Sequence, residues 1–371
     1  MTKKLHIVSF DVPFPANYGG VIDVFYKIKA LHKLGVSIHL HTYEYGRGKP
    51  KELEEFCDDI TYYKRTKSFK NLISRKPFIV KTRNSTELIK NLKKDDNPIL
   101  FEGLHTTFPI INNGFKNKKI LVRTHNIEHK YYNGLAKSEK KFFKKRFFKT
   151  EAQKLKYYES VLKKAAHILT ISPFEQNYFT KKYGEKAVYI PVFHKNETVV
   201  SLSEKGNFAL YHGDLRVSDN EKAALFLMEV FKDLDQPLVI ASSYKNISVN
   251  KKINEYDNVS FNLLCPEDEN QLSELFHNAH INVLPTFQKT GIKLKLIHAL
   301  FDSRFCVVNN EMVEDTGLEP LCEIANTKSE FAIKINKCFS KKYSIQEIEN
   351  RKKTLLNFNT LENAKKIVDI L

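Results

Sequence analysis

The chain has 371 residues, 42% of them hydrophobic, enough for two domains of ordinary size, and a formal net charge of +17. It holds no apolar run of about eighteen residues, which excludes a transmembrane helix, and Met-Thr-Lys-Lys passes straight into a strand-like Leu5–Phe10, so no signal peptide is expected. The five cysteines (57, 265, 306, 322, 338) form no CxxC pair, and no histidine cluster stands at ligand spacing, which points to reduced thiols in a cytoplasm, not to a disulfide framework or zinc site. The positive excess calls for a polyanionic neighbour: nucleic acid, an anionic membrane surface or phosphorylated substrates.

In chain order, short β-branched runs alternate with helical periodicity, the pattern of βαβ units and a parallel sheet. The first series of strands is expected at Leu5–Phe10, Ser37–Thr42, Ile60–Tyr62, Ile99–Glu102, Ile120–Thr124, His167–Ile171 and Val188–Ile190. Directly after the first of these, Pro13, Pro15, Gly19 and Gly20 prevent regular structure, and Gly20 lets backbone approach a ligand. A helix Val21–Leu34 follows, with Val21, Val24, Phe25, Ile28 and Leu31 on one stripe. Pro191–Gly206 is polar and aperiodic and reads as a linker. The second series is expected at Phe208–His212, Leu238–Ala241, Val259–Asn262, Ile281–Leu284 and Cys306–Val308, and Leu356–Leu371 is a last amphipathic helix. The division is therefore 1–190, a linker 191–206, 207–355, and a terminal helix 356–371 packing back on the first domain. Two such α/β domains are expected to face each other across a cleft lined by the carboxyl ends of their strands.

Three stretches carry candidate chemistry. After Ile281–Leu284, Pro285 stops the strand and Gly291 opens a helix with Lys293 and Lys295 in its first turn, where a lysine is unfavourable without an anion. That pattern fits a diphosphate; it also fits a solvated lysine pair on a surface helix. Glu102 ends one strand, His105 follows, and His125 ends the next, so three ionisable groups converge at strand ends, as proton transfer requires. Lys137–Lys156 interleaves phenylalanines with Lys141, Lys144, Lys145 and Arg146. This fits a helix lying on an anionic membrane, or a helix packed by its rings with a solvated lysine face. No nucleic-acid-binding motif accompanies the charge, so nucleic acid is not expected.

Val12-Pro-Phe-Pro-Ala-Asn-Tyr-Gly-Gly-Val21, Arg123-Thr-His-Asn-Ile-Glu128, Ile168-Leu-Thr-Ile-Ser172, Tyr211-His-Gly-Asp-Leu215 with Asn220, and Gly291-Ile-Lys-Leu-Lys follow one another in an order and spacing that resemble GT-B fold glycosyltransferases, nearest the retaining family 4 group. The resemblance covers nearly the whole chain. It implies two Rossmann-like domains, a nucleotide-sugar donor held by the second, and a glycan or lipid-linked acceptor at the inner face of the plasma membrane, in bacterial surface polysaccharide or glycoconjugate synthesis. It implies Gly19 and Gly20 against the donor phosphate and acceptor; Arg216, Lys293 and Lys295 are the cations available for the diphosphate, with Gly213, Gly291 and His298 expected around the donor and the strand-end groups His125, Glu102 and His105 beside the sugar. No cofactor and no metal are expected, since no DxD-type pair stands at a cleft loop and the helix N-terminus with its lysines balances the diphosphate. Two departures stand out. The family's Glu-x7-Glu acids are replaced by Thr290 and His298, and Asn220 stands where the family carries a lysine after its Gly-Arg, here Gly213-Asp214. A nucleotide-sugar epimerase on the same fold and a catalytically silent glycan- or partner-binding homologue are the competing readings.

Overall fold

Runs such as Ile120-Leu-Val-Arg123 lack polar alternation, as strands covered on both faces do. The computed structural model describes residues 3–371 apart from 113, 114, 116, 140, 203, 266, 267 and 289–292, and divides into two units, 1–195 with 358–371, and 196–357. In the first unit the strands are β1 (Lys4–Ser9), β2 (Ser37–Glu44), β3 (Asp59–Lys64), β4 (Ile99–Glu102), β5 (Ile120–Arg123), β6 (His167–Thr170) and β7 (Ala187–Tyr189). They form a parallel sheet in the order β3-β2-β1-β4-β5-β6-β7. The second unit holds β8 (Phe208–His212), β9 (Leu238–Ser242), β10 (Val259–Leu263), β11 (Ala279–Leu284), β12 (Phe305–Val308) and β13 (Glu323–Ile324), also parallel, in the order β10-β9-β8-β11-β12-β13. Each sheet reverses its strand order once, between β1 and β4 and between β8 and β11. Ligands of doubly wound folds bind outside the carboxyl ends at that point.

The helix Gly19–Lys33 covers one face of the first sheet, and its predicted stripe of Val21, Val24, Phe25, Ile28 and Leu31 is buried there. Ala364 and Ile367 of the terminal helix Thr360–Asp369 join the same apolar cluster. The segment read as a linker is divided differently: Val192, Phe193 and His194 are buried in the first unit, and the second unit begins at Asn196. The reason is local. Phe193 donates its backbone N–H to Asp23 Oδ1 at 2.9 Å, and His194 reaches the carbonyl of Phe358 at 2.9 Å, tying the segment to the core and to the returning chain terminus. The basic stretch Lys137–Lys156 is not one helix, because Glu128–Ser138 ends before Phe142–Tyr158 begins.

Candidate active site

Glu102 and Arg123 end adjacent strands in register, so their side chains leave the same face of the sheet, toward the helix Gly19–Lys33. Asp23 and Lys27, one helical turn apart, meet them there. Asp23 takes two bonds from the Arg123 guanidinium, at 2.7 and 3.0 Å, and one from Lys27 at 2.9 Å. Lys27 also reaches Glu102 at 2.9 Å, and Glu102 Oε2 lies 3.0 Å from His125 Nε2. Asp23, Lys27, Glu102 and Arg123 have no solvent exposure. Burial alone would raise the Asp23 and Glu102 carboxyls; Arg123 and Lys27 overcome it at Asp23, Lys27 and His125 at Glu102, and both acids are held below their ordinary range. Two buried acids, Asp23 and Glu102, thus face two buried basic side chains, Arg123 and Lys27.

The sequence placed Glu102 at an open cleft. It is buried instead, because Lys27 draws it inward, and the half-buried His125 is the group presented at the strand end. His105 joins the same neighbourhood through Phe10, whose ring lies 5.3 Å from the His105 ring and 5.4 Å, edge-on, from that of His125. Gly20 permits this packing, since a Cβ there would come within 2.7 Å of Phe10 Cζ. Gly103 turns the chain after β4 with a φ of 68°, a conformation that favours glycine and sets His105 in place. Burial, with Arg83 and His125 nearby, keeps the His105 imidazole neutral well below its ordinary value. Its Nδ1 lies 4.0 Å from Glu128 Oε1, and burial beside Glu175 raises the Glu128 carboxyl to about 8, so at neutral pH Glu128 is a neutral acid. Gly19 is exposed at the first position of its helix, which has neither a side-chain cap nor an acid in its first turn, so its free N–H groups suit an anion.

In the second unit two helices begin beside the carboxyl ends of β8 and β11: Ser218–Phe231 and Leu294–Asp302. Asp219 ties the β11 loop to the first of them, accepting from Thr286 Oγ1 at 2.7 Å and from the Phe287 N–H at 3.1 Å. Lys295, in the first turn of the second helix, donates to Asn220 Oδ1 at 2.7 Å. Asn220 packs against Gly213, where a Cβ would meet its amide carbon at 3.1 Å. Burial lowers the Lys295 ammonium to about 8, with Asp219 opposing and Lys293 adding to the shift. Lys293 is the N-cap residue of that helix, and His298 lies half-buried one turn further on. Arg216 is exposed, bonded to Asp214 at 2.8 Å and stacked 3.4 Å above the Tyr244 ring centroid. Gly291 lies outside the described residues. His212, at the end of β8, went unread in the sequence. It is buried, and burial beside Lys295 and His298 keeps it neutral.

No family model matches the chain. A protein of Klebsiella pneumoniae, described as an uncharacterized 44.6 kDa protein in cps region, is 28% identical over 331 residues, spanning 85% of this chain and 84% of the relative. Among solved structures, Anabaena Alr3699/HepE in complex with UDP and glucose matches with a TM-score of 0.66 at 11% identity, covering 99% of each chain. A mutant of S. aureus TarM, in complex with fondaparinux, alpha-GlcNAc-glycerol and UDP, matches with a TM-score of 0.68 at 12% identity, again over 99% of each chain. With its two parallel α/β sheets, the chain has the GT-B fold, and its structural neighbours are glycosyltransferases.

Proposed function

We propose that this chain transfers a sugar from a nucleoside-diphosphate sugar to a glycan or lipid-linked acceptor, with retention of anomeric configuration, in the assembly of a bacterial surface polysaccharide. The observation that carries the reading is the Lys295 ammonium 2.7 Å from Asn220 Oδ1. It supplies, from the helix after β11, the cation that the resembling glycosyltransferases carry at the Asn220 position. Lys293, Lys295 and the helix N–H groups then balance the diphosphate, whose leaving oxygen takes the acceptor proton. His125, oriented by Glu102, acts on the sugar side. The UDP complexes of HepE and TarM support a nucleotide donor.

Calorimetry with UDP, GDP, TDP and CMP tests the donor site. One nucleotide is expected to bind, and Lys295→Ala to weaken it by about 1.5–3 kcal/mol, roughly 10- to 150-fold. A diphosphate favours the charged lysine, so wild-type affinity falls as pH rises through about 8, where the free ammonium deprotonates, while the alanine variant stays flat. Equal affinities, or parallel pH profiles, would place the phosphates elsewhere.

We further propose that the first unit docks on an anionic membrane. Among the described residues no helix is long and apolar enough to cross one. On the short helix Phe69–Ile73, Phe69 and Ile73 are 87% and 88% exposed, and at the start of Phe142–Tyr158 Phe143 is 84% exposed. The two helices adjoin, Lys154 Nζ meeting the Leu72 carbonyl at 3.0 Å. Exposed rings fringed by Lys141, Lys144, Lys145 and Arg146 suit a lipid headgroup layer. Sedimentation with anionic vesicles should pull down wild type at low salt and release it near 1 M, where the Debye length is about 3 Å. Changing Phe69, Ile73, Phe142 and Phe143 to Ser should abolish the binding. Equal sedimentation of the two proteins would remove this surface.

A further inference from the structure

The strand β2 carries His39-Leu-His41, two imidazoles on one face by the period of two, and β1 sets His6 opposite His39 in register. Distant in the chain, the three rings are stacked in the fold: His39 on His41 at 4.2 Å between centroids, and His6 at 5.1 Å from each. One ring nitrogen from each lies within 4.8 Å of the others. Neighbouring oxygens anchor the three rings. His6 Nε2 is 3.0 Å from both oxygens of Asp95, His39 Nε2 is 2.8 Å from Asp59 Oδ2, and His41 Nδ1 is 2.9 Å from the Tyr63 hydroxyl, itself held by Asn91 at 2.9 Å. Metal-ligating histidines are held in this way, with the outward nitrogen on a carboxylate or another oxygen that fixes the ring and its tautomer.

We propose that His6, His39 and His41 form a binding site for a borderline divalent transition ion, zinc being the representative. Three neutral imidazoles are a donor set for zinc, and hard ions such as magnesium have no oxygen cage here. His6 Nδ1 and His41 Nε2 face each other at 2.9 Å. Zinc–nitrogen bonds of about 2.0–2.1 Å at tetrahedral angles put neighbouring donors roughly 3.3–3.4 Å apart, so admitting the ion requires an opening of about half an ångström. His6 and His41 are buried, whereas the His39 side chain is 29% exposed, which leaves that side for ion entry and for a water as the fourth ligand. Asp59 and Asp95 offset the added charge. His6 stands opposite His39 and Ile99, and His41 pairs through Val8 with Phe101, whose side chain alternates with that of Glu102, so the cluster lies on the face of the sheet away from Glu102; the ion would pin β1 to β2 and stand apart from sugar transfer.

The test uses the full, tag-free chain with zinc chloride, read as bound zinc after dialysis, by calorimetry and by thermal shift, with magnesium as the control ion. One zinc per chain and a raised unfolding midpoint are expected for wild type. The exposed His277 provides a control variant, His277→Asn, which should bind as wild type does. His39→Asn should lower affinity at least tenfold. Asp95→Asn, which spares all three imidazoles, should lower it about 10- to 100-fold and guards against a folding defect in the first variant. No zinc uptake by wild type, or uptake unchanged in both His39→Asn and Asp95→Asn, would overturn the site and leave the cluster as a hydrogen-bonded chain from Asp95 to Tyr63.

Discussion

Arg123→Met is expected to destabilise the first unit by about 3–5 kcal/mol, a large part of the 5–15 kcal/mol that usually holds a domain together. The guanidinium is wholly buried and serves two purposes: it neutralises Asp23, and it bonds the carbonyls of Thr170 at 3.2 Å and Pro191 at 3.1 Å. Through Asp23 and the Phe193 N–H it also fixes the segment that follows β7. Removing it leaves Asp23 and Glu102 sharing the single cation Lys27, so one buried negative charge goes unbalanced. The double variant Asp23→Leu, Arg123→Met leaves Lys27 and Glu102 as a balanced pair and should recover part of the loss. The chain contains no tryptophan, so denaturation is best followed by circular dichroism. A loss below about 1 kcal/mol for Arg123→Met would show that the cluster does not hold the unit.

His125→Ala is expected to lower turnover by about a hundredfold or more, the range for a positioned acid–base or charge-stabilising group, with little change in donor affinity. His125 suits that role because its ring is fixed from two sides, by Glu102 at 3.0 Å and by the edge contact with Phe10, just beyond the end of β5. Glu102, which has no solvent exposure, is expected to act through it and not to meet the substrate. Glu102→Gln keeps the shape and weakens the orienting charge, so its effect on kcat should be smaller and accompanied by lost stability. Turnover of His125→Ala within threefold of wild type would remove this histidine from the chemistry.

The sheets were legible because buried parallel strands are unmixed apolar runs: β8 spans Phe208–His212 as read, and β4 ends at Glu102 as read. The strand β13 was missed, since Glu323–Ile324 is too short to show a period. His125 was legible because a polar residue closing an apolar run falls at the carboxyl edge, and Lys295 because it stands in the first turn of the helix that follows β11. The partners of His125 were not. Asp23 and Lys27, spaced i and i+4 on an amphipathic helix, look like a solvated surface pair. Only the position of Glu102 and Arg123 across the sheet shows that they are buried. The imidazole cluster was hidden for a similar reason: His6 and His39 are separated in the chain, and strand register alone brings them together.

The most direct test of sugar transfer is to incubate the purified chain with UDP-, GDP-, TDP- and CMP-sugars, with and without a lipid-linked glycan acceptor, and to measure released nucleotide together with acceptor mass. One donor class should release nucleotide in step with an acceptor mass increase of one sugar, and both signals should collapse in His125→Ala and weaken in Lys295→Ala. Donor isomerised without transfer would identify an epimerase. Nucleotide binding with neither release nor transfer would identify a silent binding protein, and either result would contradict the assignment.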